Sequence, residues 1–160
     1  VNFLITRVLG IATRTGPPNL FTTLGRHRRL FRGWLRFAGR LMPGGKLPRR
    51  DTEIVILRVA RNADCEYERR HHVRLGRRAG LSHDEIARAG QGGVDGWSPR
   101  EAALLRAADE LHSERVLSDG LFAELRTHLS ENELIELCLL VGHYEMLAMT
   151  INSLGIEPEH

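Results

Sequence analysis

Apolar residues recur at helical spacing along nearly the whole chain. Phe21, Leu24, Leu30, Phe31, Trp34, Leu35 and Leu41 form a broad stripe; with Asn19 as cap, they predict one helix running to about Met42. Pro43-Gly44-Gly45 ends it. A second helix begins near Pro48 or Arg49 and carries Ile54, Val55, Leu57, Arg58 and Ala60. Asn62-Ala63-Asp64 is a tight joint before a third helix from Cys65 to about Ala79, with Gly80 as its C′ residue. Three capping boxes follow. Ser82 with Glu85 opens a short helix to about Ala89, Ser98 with Glu101 one to about Ser113, and Ser130 with Glu133 the last one. Pro99 sits at a first helical position, and Ser118 caps a helix from Asp119 to Leu129. The last helix, closed by Gly155, is apolar nearly all round from Leu137 to Met149, which places it in the core or in a subunit interface. With no strand pair or internal repeat, the pattern predicts an all-α, single-domain helical bundle.

Composition fits that picture. A chain of 160 residues, 42% hydrophobic and 27% charged, is an ordinary soluble globular domain with enough length to bury a core. Its two cysteines, Cys65 and Cys138, lie far apart and suggest no disulfide framework, so a reducing cytoplasm is expected. Val1 to Ala12 has short apolar pieces broken by Arg7 and lacks a secretory h-region. No stretch reads as a membrane span; the most apolar, Leu134 to Ile156, holds Glu136, His143 and Glu145.

Charge is unevenly placed. Residues 1–50 carry +11, with no Asp or Glu, and residues 51–160 carry −8. A basic first third suits an anionic partner. No helix-turn-helix, zinc-finger or RNA-binding signature accompanies it, and Lys46 is the sole lysine. The expected role of these arginines is therefore to meet the acidic remainder of this or a neighbouring chain, and nucleic acid is not the expected partner.

The chemistry concentrates between residues 53 and 72. On a helix, Cys65, Glu68 and His72 fall at i, i+3 and i+7, which stacks a thiol, a carboxylate and an imidazole on one face. Each can hold or release a proton near neutral pH once its surroundings shift it. Cys65 stands at a first helical turn, where free N–H groups favour a thiolate, while Glu66 and Glu68 oppose one. Alone, Glu68 and His72 make an i, i+4 pair worth about 0.3–0.5 kcal/mol on a surface. Beside Cys65 and Tyr67 they read as an acid–base site. Glu68 and His71 have the E-x-x-H spacing of di-iron carboxylate bundles, but those need two such motifs, and two arginines separate this pair. No metal or other cofactor is expected.

The chain resembles the carboxymuconolactone decarboxylase and alkyl hydroperoxidase D-like family. The resemblance is carried by Met42-Pro43-Gly44-Gly45-Lys46-Leu47-Pro48, by Asp51, Glu53, Val55, Ile56, Leu57 and Arg58, and by Cys65-Glu66-Tyr67-Glu68 with His71-His72. It continues through Ala79-Gly80-Leu81-Ser82, Trp97-Ser98-Pro99-Arg100-Glu101 and Leu134-Ile135-Glu136-Leu137, and covers roughly residues 25 to 156. It implies an N-terminal segment, 1–24, ahead of a helical domain, 25–156, and a homo-oligomer: dimer, trimer or hexamer. In hydroperoxidase members a glutamate precedes a Cys-x-x-Cys-x-x-x-His motif and forms a proton relay with it. Glu53, Cys65 and His72 match three of those positions, and Glu68 replaces the second cysteine. Without that resolving thiol a full dithiol cycle is not expected, although a one-cysteine thiol peroxidase needs only an outside thiol. Decarboxylase members act on a lactone bearing carboxylates. By that likeness His72 or His71 would be the acid, and Arg58, Arg61 or Arg69 would hold a carboxylate.

The resulting expectation is a cofactor-free enzyme doing lyase-type acid–base chemistry on a small carboxylated or oxidised molecule, with Glu53, Cys65, Tyr67, Glu68 and His72 at its site. The alternatives are a thiol peroxidase centred on Cys65 and a non-enzymatic oligomeric binding protein.

Overall fold

The computed structural model describes residues 18–159, and every regular element among them is a helix. In chain order these are α1 (Asn19–Leu24), α2 (Arg28–Leu41), α3 (Arg49–Asn62), α4 (Glu66–Arg78), α5 (His83–Ala89), α6 (Pro99–Ser113), α7 (Asp119–His128) and α8 (Glu131–Leu154). The reading of Val1 to Ala12 as lacking a secretory segment lies outside the described residues, as does most of the segment 1–24.

The three capping boxes form as the sequence predicts. At Ser82, Ser98 and Ser130 the hydroxyl accepts from the N3 backbone, and the glutamate three residues on accepts from the cap's own N–H. Gly155 takes the left-handed conformation that closes α8.

The first helix is the main correction. The expected run from Asn19 to Met42 is broken at Gly25-Arg26-His27, where the His27 imidazole accepts from Leu30 N–H and starts α2 afresh. A Cβ at Gly25 would lie 2.7 Å from the Phe21 carbonyl oxygen, so glycine permits this joint. Asn19 does not cap α1, whose N-cap is Pro18; its side chain instead donates to the Glu157 carbonyl. Nor is the predicted stripe buried throughout: Leu30 faces outward, while Phe31, Trp34 and Phe21 pack edge-on or stacked on one another.

Helix α3 is the axis of the molecule. Every residue from Asp51 to Ala60 is buried, because α4, α6 and α8 pack around it. Each of its buried polar side chains has at least one partner. Arg100 reaches Asp51 at 2.8 Å and Glu133 at 3.0 Å, which ties α3 to the start of α6 and α8. Arg50 joins α3 to the capping glutamates Glu85 and Glu101. Glu136 of α8 accepts from Lys46 N–H and Leu47 N–H and so fixes the loop leading into α3.

Helix α8 departs from one expectation. By length and composition it is apolar enough to cross a membrane. Half of its most apolar window is nonetheless buried inside the fold, as befits a core helix. The arginines at 26, 28, 29, 32, 36 and 40 stand exposed, and none joins an ion pair with a described carboxylate of the same chain.

Candidate active site

Two helices build the site. Glu53 lies in the first half of α3, where the all-round burial of that helix leaves it no exposed surface. Cys65 is the N-cap of α4, and Glu68 and His72 follow one and two turns on, along the same face. The joint Asn62-Ala63-Asp64 folds α4 back on α3; Asp64 adopts a positive φ of 47°, a conformation asparagine and aspartate tolerate. That reversal brings His72 Nδ1 to 2.7 Å from Glu53 Oε2.

The pair has a defined polarity. Arg49, one turn before Glu53, sets Nη2 2.6 Å from Glu53 Oε1, an ionic contact outside hydrogen-bond angles, since that oxygen otherwise has no bonded partner. The Glu53 oxygen facing Nδ1 suits the tautomer in which Nδ1–H donates to it and Nε2 keeps a free lone pair. Nε2 has no hydrogen-bond partner among the described residues.

Glu68 is the unusual group. It is 3% exposed, and neither carboxyl oxygen has a hydrogen-bond partner. Burial, reinforced by the nearby Glu145 carboxylate, pushes its pKa up to about 8. At neutral pH it is therefore mainly a neutral acid. Tyr144 of α8 is buried beside both carboxyls; burial first, then Glu68 and Glu53, hold its phenol well above the usual range. Its ring meets His72 edge-on at 5.1 Å. Glu145 itself is held at 2.7 Å by His112 Nδ1 of α6, a half-exposed imidazole.

Cys65 is 1% exposed, and burial pushes its thiol up to about 11. The backbone N–H groups of Glu68 and Tyr67 counter this in part, without forming a cap hydrogen bond, while the Glu68 charge adds to it. The first-turn position thus does less for a thiolate than desolvation does against it. Cys138 is also free and lies on the exposed side of α8.

Tyr67 is buried but turns elsewhere. Its hydroxyl donates to Glu159 at 2.9 Å and accepts from Leu20 N–H, and His71 Nε2 lies 2.8 Å from the same glutamate. The structure therefore brings Glu53, Cys65, Glu68 and His72 together and sets Tyr67 with His71 in a cluster that anchors the C-terminal tail. This also separates Glu68 from His71, the E-x-x-H pair; no group of three possible metal-binding side chains occurs among the described residues.

The arginines suggested as carboxylate holders are engaged elsewhere. Arg58, without exposed surface, binds Asp109 at 3.0 Å and the Gly93 carbonyl at 2.6 Å. Arg69 is paired with Glu66, and Arg61 bonds Asn62. The cation at the site is Arg49, which sequence reasoning passed over, together with Tyr144 and the Glu145–His112 pair. Arg49 at i−4 to Glu53 was a visible signal; Tyr144 lay hidden in an apolar helix. A groove of about 250 Å³ between α4 and α5, lined by Leu57, Val73, Arg77 and Ile86 among others, lies on a neighbouring face of α4 and takes in none of the four site groups.

The carboxymuconolactone decarboxylase family model matches residues 28–110, more than half the chain, including α3, the joint and the whole of the Cys65–His72 face. The chain belongs to that family. Solved structures share its fold. A peroxidase-related protein with an alkylhydroperoxidase AhpD core from Ralstonia eutropha aligns with TM-score 0.81 at 19% identity, over 96% of this chain and 83% of that one. A peroxidase-related protein from Silicibacter sp. gives TM-score 0.83 at 14% identity, over 97% and 83%. The debrominase Bmp8, in its apo form, gives 0.82 at 17% identity, over 99% and 86%. At these identities the likeness carries the fold. No functionally curated protein matches the sequence.

Proposed function

We propose that this member of the carboxymuconolactone decarboxylase family is a cofactor-free acid–base enzyme acting on a small carboxylated or oxidised molecule. The observation that carries this reading is Glu68: a buried, unbonded carboxyl, neutral at pH 7, one helical turn from an imidazole held by Glu53. An acid and a base on one face are what proton transfer at carbon requires. His72 Nε2 takes a proton from the substrate, and Glu53 stabilises the imidazolium that results. Glu68 delivers its proton to the carbon or oxygen where negative charge develops; when a carboxylate leaves as carbon dioxide, the C–C electron pair stays on that carbon until Glu68 protonates it. Arg49 supports the Glu53 charge and is exposed enough to meet a substrate carboxylate. Cys65 forms part of the wall as a neutral thiol, and Tyr67 fixes the start of α4. Glu53, Cys65 and Glu68 are buried, and His72, with 8% of its side chain exposed, is the member of the site that a substrate meets first.

The second reading is a one-cysteine thiol peroxidase. Cys65 at the N-terminus of α4, with two backbone N–H groups nearby, favours it, as do fold relatives described as peroxidase-related. The burial of Cys65 and its raised pKa weigh against it.

One experiment separates them. The protein is incubated in deuterated buffer with a panel of small carboxylated lactones and unsaturated acids, following carbon dioxide release and deuterium uptake. A second arm follows peroxide loss with a dithiol donor. Turnover in the first arm, abolished by Glu68→Gln and by His72→Gln, is expected. Peroxide turnover abolished by Cys65→Ser, with no carbon chemistry, would replace this reading by the second.

A further inference from the structure

The groove between α4 and α5 is built by two rows of side chains over one floor. On α4, Arg69, Val73 and Arg77 follow one another at four-residue spacing and so stand in line along one face. On α5, His83 and Ile86 face them, and Leu57 of α3, 2% exposed, closes the bottom. The two helices are joined by the short turn 79–82, so Arg77 and His83 stand at the same end. The groove is therefore apolar in its middle and basic at that end.

Its charge is one-sided. No Asp or Glu is among its lining residues. Arg69 is already engaged by Glu66, through two hydrogen bonds of 2.6 and 2.8 Å. Arg77 makes no ion pair with a carboxylate among the described residues. His83 has Asp84 at 3.8 Å, but their side chains are 82% and 94% exposed, which leaves the contact loose. An arginine fork and an imidazole, which keeps an N–H in either protonation state, thus stand ready over an apolar floor.

We propose that this groove is a second binding site, one that takes a small amphipathic carboxylate with its carboxyl group on Arg77 and His83 and its hydrocarbon body on Val73, Ile86 and Leu57. Small-molecule sites are mostly apolar, with a few polar groups that fix orientation, and this groove has that composition. Its volume of about 250 Å³ lies below the roughly 300–1,000 Å³ of drug-sized sites, so the body is short. The arginine fork fits a carboxylate at two points. A neutral apolar ligand would make no use of Arg77, and a polyphosphate would need more free cations than that end supplies. Arg69 and Val73 directly follow Glu68 and His72 in the chain. A ligand in the groove therefore touches the helix that carries those two groups without entering their site, and its binding does not depend on the acid–base reading.

Octanoate is the probe, added to the full chain with labelled methyl groups. The methyl resonances of Leu57, Val73 and Ile86 are expected to shift together and to saturate as one site. Octanol keeps the body and loses the charge; acetate keeps the charge and loses the body. Each is expected to bind about tenfold more weakly or worse. Arg77→Gln is expected to weaken octanoate about tenfold and to leave octanol unchanged. Arg77 is exposed, so the variant keeps its fold. Arg74→Gln, at an exposed position outside the groove, is expected to change neither. Shifts centred instead on Ile135 and Leu139, on the exposed apolar side of α8, would overturn the proposal. So would a lack of saturation below about 10 mM, octanol binding as tightly as octanoate, or octanoate binding indifferent to Arg77→Gln.

Discussion

His72 and Glu53 form a hydrogen-bonded pair of 2.7 Å between two helices, nearly out of reach of water. A bond to an ionised group in such a place is worth more than its neutral counterpart, and it fixes the ring's tautomer. Glu53→Gln keeps the shape and removes the charge. Activity is expected to fall about a hundredfold or more. The loss of stability is expected to be about 1–3 kcal/mol. Steady-state kinetics and a urea titration on the same variant check both.

Glu68 has the opposite effect on stability. Its folded pKa of about 8 lies above the ordinary carboxyl value of 4.5, so between those values the folded state holds a proton that the unfolded chain has lost. Stability from this group is therefore fully present below about pH 4.5 and declines as pH rises through about 8. Glu68→Gln removes that loss and is expected to stabilise the protein at pH 7, by up to about 3 kcal/mol, with little change at pH 4. Denaturant midpoints of both proteins across that range measure the difference.

Cys65→Ser is expected to leave the fold intact. Serine is a favoured N-cap, which offsets the burial of a hydroxyl, so the net change should stay within about 1 kcal/mol. Acid–base turnover should survive within about tenfold, since the thiol moves no proton in that chemistry. Thermal unfolding and the deuterium-uptake assay report on the two halves.

Glu159 gathers Asn19 N–H, the Tyr67 hydroxyl and the His71 ring at 2.5–2.9 Å. Glu159→Ala is expected to cost about 1 kcal/mol by removing hydrogen bonds to the part-buried Tyr67 hydroxyl and His71 ring and to the exposed Asn19 N–H. Faster amide exchange should appear at Leu20 and at the first turn of α4, and not at the centre of α3.

Most of the helical plan was legible because capping chemistry is local. Ser82, Ser98 and Ser130 each carry their glutamate three residues on, and Gly80 and Gly155 mark ends. The break at Gly25 was not, since the apolar stripe runs across it and the cue is a close approach to the Phe21 carbonyl. Within the site, the Cys65–Glu68–His72 face followed from helical spacing and Glu53 from the family likeness. The orientation of Tyr67 did not, because it depends on a tail that returns from 92 residues away. Nor could spacing tell that Glu68 has no partner. That follows from what α8 sets opposite it, Tyr144 and Glu145, and long-range packing of that kind leaves no local trace.

The protonation state of Glu68 is the centre of this account, and a carboxyl titration reads it directly. With glutamate labelled at the side-chain carboxyl carbon, the resonance lost in Glu68→Gln identifies the group, and its shift is followed from pH 3 to pH 10. A midpoint near 8, displaced downward when Glu145→Gln removes the neighbouring charge, is the predicted result. A midpoint near the ordinary carboxyl value of 4.5, unmoved by that substitution, would mean that Glu68 is an ordinary ionised carboxylate at neutral pH and would contradict its role as the site's acid.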